Sequence, residues 1–142
     1  MKTIFVNEND AVRNWYLIDA AGQPVGRIAA KVAAIVRGKN KPTFVRNQEM
    51  GDYVVIINAD KVLVTGNKPQ DKQYRHYTGY VGGLKSFSFN KLIERHPTDP
   101  LRIAINGMLP HNRLGRKLQA SVKIYAGAEH PHKAQNPQPV EL

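Results

Sequence analysis

The sequence contains no cysteine. That absence excludes a disulfide scaffold, a thiolate zinc site, an iron–sulfur cluster and a cysteine nucleophile, and it fits a reducing compartment. Serine is nearly as scarce: only Ser86, Ser88 and Ser121 occur, and none stands in a nucleophile-elbow pattern. Acids are few and scattered, 11 Asp and Glu against 21 Lys and Arg, so paired carboxylates for general acid–base work are nearly lacking. No window approaches the roughly 18 apolar residues of a membrane span. The run Ile4–Val6 after Lys2 falls short of the roughly 7–15 apolar residues of a secretory signal. The absences together describe a soluble intracellular chain in which catalysis is disfavoured.

What remains is a basic chain of 142 residues with a formal charge of +10. The length suits one domain over residues 1–142, with an N-terminal extension at 1–13 and a tail at 130–142. A domain of this size buries roughly 70% of its unfolded surface and needs no covalent staples. Two stretches carry no acid. Between Asp19 and Glu49 lie Arg27, Lys31, Arg37, Lys39, Lys41 and Arg46; between Asp99 and Glu129 lie Arg102, Arg113, Arg116, Lys117 and Lys123. Cations gathered without counter-charge repel one another, and a polyanion offsets that cost. Nucleic acid is the expected partner. No helix joins a basic face to a broad aromatic or leucine face, so a membrane surface is not expected.

The hydrophobic pattern predicts a layered α/β fold with a small, mostly parallel sheet. Trp15–Ile18 reads as a strand running into a turn. Pro24 suits a helix start, Ile28, Val32, Ile35 and Val36 share one stripe, and Gly38 suits a left-handed cap. Tyr53–Ile57 is continuously apolar and β-branched, as in a strand buried on both faces. Val62–Thr65 reads as a further short strand, and residues 66–86 as mostly loop. Short helices are expected over Asn90–Arg95, from a Thr98 cap to about Gly107, and within 112–119, with a last strand at Val122–Tyr125. The tail carries Pro131, Pro137 and Pro139 and is expected to be extended, held only by contact with something.

Four constellations carry possible chemistry. Thr78-Gly79-Tyr80-Val81-Gly82-Gly83, flanked by Arg75, His76 and Lys85, suits close approach of backbone to phosphate. It matches neither the P-loop nor the dinucleotide fingerprint, and it equally suits a plain mobile loop. Thr65-Gly66-Asn67-Lys68, with Lys72 beyond, is a turn that presents lysines. Gly107–Lys117 gathers Arg113, Arg116 and Lys117 around Met108, Leu109 and Leu114. His130-Pro131-His132 resembles half of a zinc site, but spacing marks no third ligand, and the pair also suits stacking on RNA. Tyr74, Tyr77 and Tyr80 interleave with cations as base-stacking aromatics do, with at least one of them expected to pack on the core.

Taken in order, these segments resemble large-subunit ribosomal protein thirteen in its bacterial form, from about Trp15 to Pro137. The matching stretches are Trp15-Tyr16-Leu17-Ile18-Asp19-Ala20, Gly26-Arg27, Arg37-Gly38-Lys39, Gly51-Asp52-Tyr53, Asn58-Ala59-Asp60-Lys61-Val62 and Thr65-Gly66-Asn67-Lys68. They continue with Thr78-Gly79, Gly82-Gly83, Gly107-Met108-Leu109-Pro110, Leu114-Gly115-Arg116, Tyr125-Ala126-Gly127 and His130-Pro131-His132. Asn106 and the stretch Phe44–Met50 depart from the family's usual pattern.

The resemblance implies a three-layer α/β/α fold with a four-stranded parallel sheet. It implies a non-enzymatic place in the cytoplasmic ribosome, with large-subunit ribosomal RNA and neighbouring ribosomal proteins as partners and a part in early subunit assembly. No cofactor, metal, membrane, small-molecule substrate or independent homo-oligomer is expected. The expected RNA contacts are Arg27, Lys31, Arg37, Lys39 and Lys41; Asn67, Lys68 and Lys72; Arg75, His76, Thr78, Gly79, Gly82, Gly83 and Lys85; Arg113, Gly115, Arg116 and Lys117; and His130 and His132. The rival reading is a small RNA-directed or phosphate-handling enzyme using the Gly79–Gly83 loop with His76, His130 or His132. A free basic regulator of messenger RNA or DNA is a third.

Overall fold

A computed structural model describes residues 5–141. Residues 1–4 of the expected N-terminal extension and Leu142 of the expected tail lie outside the described residues. Strand β1 (Trp15–Asp19) and strand β2 (Tyr53–Ile57) pair in parallel, from Trp15 opposite Tyr53 to Asp19 opposite Ile57. Strand β2 is central, and its Val54, Val55 and Ile56 are fully buried, as continuous apolarity requires.

Helix α1 (Val25–Arg37) carries the chain from β1 back to β2. Its stripe of Val25, Ile28, Ala29, Val32, Ile35 and Val36 is buried, and it ends at Gly38 in the left-handed region with φ +81°. Helices α3 (Phe89–Arg95), α4 (Asp99–Met108) and α5 (Arg113–Ala120) add Phe89, Leu101, Ile105 and Leu118 to the same core, beside Ile18, Val54 and Ile56. The order of elements after β2 also includes a single helical turn, α2 (Lys68–Asp71), and two strands, β3 (Gln73–Tyr77) and β4 (Leu84–Ser88). Strand β5 (Val122–Ile124) joins the free side of β2, and β6 (Gln138–Pro139) joins the free side of β1. The four-stranded sheet thus runs β5-β2-β1-β6 with every pairing parallel. Trp15, on the sheet face away from Ile18, meets His132 of a 3-10 turn (His132–Gln135), which supplies cover on that side.

Three expectations are corrected. Residues 66–86 are not mostly loop: they form α2, β3 and most of β4, the strands pairing as an antiparallel hairpin. Only Tyr74 among the β3 residues is even half-buried, so the alternation that marks a strand is missing from the sequence. Val62–Thr65 is not a strand. Leu63 makes one bridge to Pro24, because the segment runs beside the α1 entry and not beside a strand. The tail, by contrast, is extended as expected where β6 forms, and the contact that holds it is β1: Val140 N–H donates to the Leu17 carbonyl at 2.9 Å, on an edge where Pro139, lacking an N–H, is tolerated. Finally, Thr98 precedes α4 but makes no side-chain cap. Its backbone is helical, and Pro100 in the first turn has no N–H to offer.

Candidate nucleic-acid interface

The β3–β4 hairpin belongs to no larger sheet. An isolated two-stranded ribbon is marginal in water, so its base must be fastened. Tyr74, opposite Phe87, packs against the core cluster, and Phe89 N–H donates to the Lys72 carbonyl at 3.1 Å. Burial pushes the Tyr74 hydroxyl above its ordinary pKa. Lys72 places its ammonium 5.3 Å from the Tyr74 ring, and Arg95 its guanidinium 5.2 Å from the Phe87 ring.

Beyond that base every residue up to Ser86 except Gly83 is exposed. Arg75 and His76 on β3 stand opposite Ser86 and Lys85 on β4. The turn closes through Thr78 N–H to Gly83 O (3.1 Å) and Gly83 N–H to Tyr80 O (2.9 Å), with Gly79 at φ +90° and Gly82 at φ +71°. Gly83 is tucked against Thr78. Tyr77 is 59% exposed and Tyr80 79% exposed. No acid occurs between Asp71 and Glu94. The ribbon therefore presents three cations (Lys72, Arg75 and Lys85), one imidazole and two aromatic faces, which can neutralise phosphate and stack on bases. Asn67 and Lys68, beside its foot, are also exposed, with the Lys68 ammonium 3.4 Å from the Thr65 hydroxyl.

The remaining predicted residues divide. Arg27 and Lys39 on or just beyond α1 are exposed, as are Arg113, Arg116 and Lys117 on α5; Lys117 lies 3.7 Å from Glu8. Arg37 donates to the Arg46 carbonyl at 2.7 Å and sits over Phe44. Lys31 donates to the Glu141 carbonyl, which ties the tail to α1. Lys41 points inward. Its ammonium donates to Asp52 Oδ1 (2.6 Å), the Val12 carbonyl (2.7 Å) and the Met50 carbonyl (3.1 Å), so all three protons are engaged within the protein. Gly115 is buried, and a Cβ there would meet the Pro110 carbonyl oxygen at 1.7 Å; its N–H takes the Asn112 cap at 2.8 Å.

The two tail histidines are also engaged internally. His132 pairs Nε2 with the Tyr125 hydroxyl at 2.7 Å and lies 5.2 Å from the Trp15 ring, while His130 Nδ1 accepts the His132 N–H at 3.2 Å. Among the described residues no group of three or more His, Asp or Glu is placed to hold a metal, and no helix is long and apolar enough to cross a membrane.

Sequence reasoning passed over Arg102 and Lys123. Both lie in the acid-free stretch after Asp99, which was the available signal, and the structure brings them with Arg116 to one cleft of about 380 Å³.

A family model described as Ribosomal protein L13 matches residues 13–131. The chain is 65% identical over 142 residues to the large ribosomal subunit protein uL13 of Treponema denticola, covering all of both chains. It is 61% identical over 140 residues to that of Treponema pallidum strain Nichols, covering 99% of each. The protein of the same name from Symbiobacterium thermophilum is 52% identical over 141 residues, again covering 99% of each chain.

Proposed function

The chain belongs to the ribosomal protein L13 family, and from that premise we propose that it is a structural constituent of the large ribosomal subunit that binds and stabilises folded ribosomal RNA. The observation that supports RNA contact is the exposed hairpin, which carries Lys72, Arg75 and Lys85, the open rings of Tyr77 and Tyr80, and no carboxylate. The parallel sheet and its helices act as a rigid base. The hairpin, Lys39, Lys68 and the α5 cations reach outward. These cations replace diffuse counterions where RNA segments approach one another, which favours the packed arrangement. Recognition of duplex RNA is by shape and backbone, since its deep, narrow major groove closes base edges to side chains. Neighbouring ribosomal proteins share the surface, and the protein works in the cytoplasm, entering the subunit early.

Lys41, Gly115 and the paired His132 serve this reading indirectly, by holding the base that displays the contacts. The test is sedimentation of a gently lysed extract through a density gradient at low and raised salt. We expect the protein to travel with the large subunit in near-equal amount and to resist moderate salt. A protein that stays with the soluble fraction overturns the reading, and assays of hydrolysis on RNA then take priority. Pulse labelling gives the assembly order: the protein should enter incomplete subunit precursors, and late entry would refute an early role.

A further inference from the structure

The cleft between α4, α5 and β5 lies apart from the hairpin. Arg102 and Asn106 line it from α4, Arg116 and Gln119 from α5, and Lys123 from β5, with Ile105 among its apolar walls. Among the described residues no carboxylate lines it. The nearest counter-charge recorded for any of its cations is Asp99, 3.9 Å from Arg102, whose side chain is 60% exposed. An exposed pair at that distance contributes little. Arg116 and Lys123 make no ion pair with a described residue. Three cationic residues bordering one concave space give it a positive potential that favours an anion. The amides of Asn106 and Gln119 each offer a donor pair and an acceptor, the pattern that matches a nucleobase edge. At about 380 Å³ the cleft falls at the small end of the range of ligand pockets, about 300–1,000 Å³. That is room for one nucleotide and not for a duplex.

We propose that this cleft holds one unpaired nucleotide of ribosomal RNA, its phosphate facing Arg102, Arg116 and Lys123 and its base edge facing Asn106 and Gln119. The assignment rests on the reading that the protein binds ribosomal RNA, and it adds a contact of a different kind. The hairpin offers stacking faces and diffuse charge, whereas the cleft offers a walled space with directional amides. A splayed, unstacked base is the form of RNA that such amides can read.

The decisive experiment places a benzophenone-bearing amino acid at exposed Ala120, on the cleft rim, in full-length protein assembled into large subunits. A second protein carries it at exposed His76 on the hairpin. We expect the Ala120 probe to crosslink to one or two adjacent ribosomal RNA nucleotides. If the His76 probe reaches RNA while the Ala120 probe reaches a protein, or nothing, the cleft assignment fails and RNA binding stands. If neither probe reaches RNA, both fail. An independent measurement uses purified large-subunit ribosomal RNA and the Arg102→Ala/Arg116→Ala variant, both residues being exposed. The slope of log affinity against log salt should fall by about 0.7, the share of one single-stranded phosphate. An unchanged slope in a variant that melts normally overturns the assignment.

Discussion

Lys41 and Lys39 are two residues apart in the same acid-free stretch, yet the structure gives them opposite duties. The Lys41 side chain is 18% exposed and donates three hydrogen bonds, one of them to Asp52, whose side chain is 0% exposed. Asp52 Oδ1 also accepts the Asn14 N–H at 2.8 Å, while Oδ2 is buried without a partner. Replacing Lys41 by Met keeps the apolar stem but leaves the carboxylate without its cation. Breaking a buried pair on one side costs about 3–5 kcal/mol. Partial exposure of Lys41 lets water reach the vacated space, which puts the cost near the lower end, about 3 kcal/mol. For a chain of this size that lowers Tm by roughly 10 °C. Asp52→Asn is expected to cost less, about 1–2 kcal/mol, because the amide oxygen still accepts from Asn14 and Lys41. Combining the two substitutions should cost less than the sum of the single changes, since the stranded charge is gone. The assay is thermal unfolding of wild type, both single variants and the double variant, with RNA affinity measured per folded molecule. Lys39→Met is the control: within about 0.5 kcal/mol in stability, with a salt slope lower by about 0.7–0.9. The reverse pattern, an unchanged Tm with weakened RNA binding for Lys41→Met, would refute the inward assignment of that ammonium.

Three further outcomes follow from the same geometry. Tyr80→Ala should leave Tm within the range of a surface change, about 0.5 kcal/mol, and weaken RNA binding by about 1–3 kcal/mol if a base stacks there; equal affinity in a filter-binding assay removes Tyr80 from the interface. Gly115→Ala should destabilise by about 1–3 kcal/mol, because its Cβ would meet the Pro110 carbonyl oxygen; a normal melting curve with lost RNA affinity would make Gly115 a direct contact instead. The Asp19 carboxylate accepts hydrogen bonds from Asn58 (2.8 Å) and from the Ala21 N–H (3.0 Å), and these hold its pKa below the ordinary value. Its contribution to stability is therefore complete above about pH 4 and lost as pH falls through the lowered folded-state value. Carboxyl titration followed by NMR should place the Asp19 midpoint below about 3.9, and a midpoint at or above it contradicts the role of these hydrogen bonds.

The parts of the fold legible in the sequence are those whose burial leaves a period. Helix α1 shows its stripe because one face meets the sheet, and β2 shows an unbroken apolar run because both its faces are covered. The hairpin left no such trace, since Arg75, Tyr77, Leu84 and Ser86 are exposed and the half-buried residues are Gly83 in the turn and a few near its base. Two-residue β6, with Pro139 in it, is too short for any period, and the two ladder residues it pairs with belong to a strand far earlier in the chain. At the candidate interface the exposed cations were visible as an excess of charge. Which cations turn inward was not, because the partners of Lys41 are Val12, Met50 and Asp52, brought together only by folding. The cleft was hidden for the same reason: Arg102, Arg116 and Lys123 come from three elements.

The inward turn of Lys41 has a counterpart in Arg13, which lies 3.3 Å from Glu49 and 3.7 Å from Glu8. Glu49 and Asp52 are the buried acids, and each takes a cation inward with it. Burying matched pairs leaves the net charge unchanged but raises the ratio of cations to acids among the groups that remain outside. A basic chain can thus fold without scattering its few carboxylates among the cations of the hairpin and cleft, where each would cancel a positive charge. The pairs near the start of β2 also fasten the segment around Arg13 and the Lys39–Met50 connection to one end of the sheet. Stability and surface charge are coupled through the same few residues. An acid moved from this interior to the hairpin would act twice, weakening the base and diluting the positive surface of the proposed RNA interface.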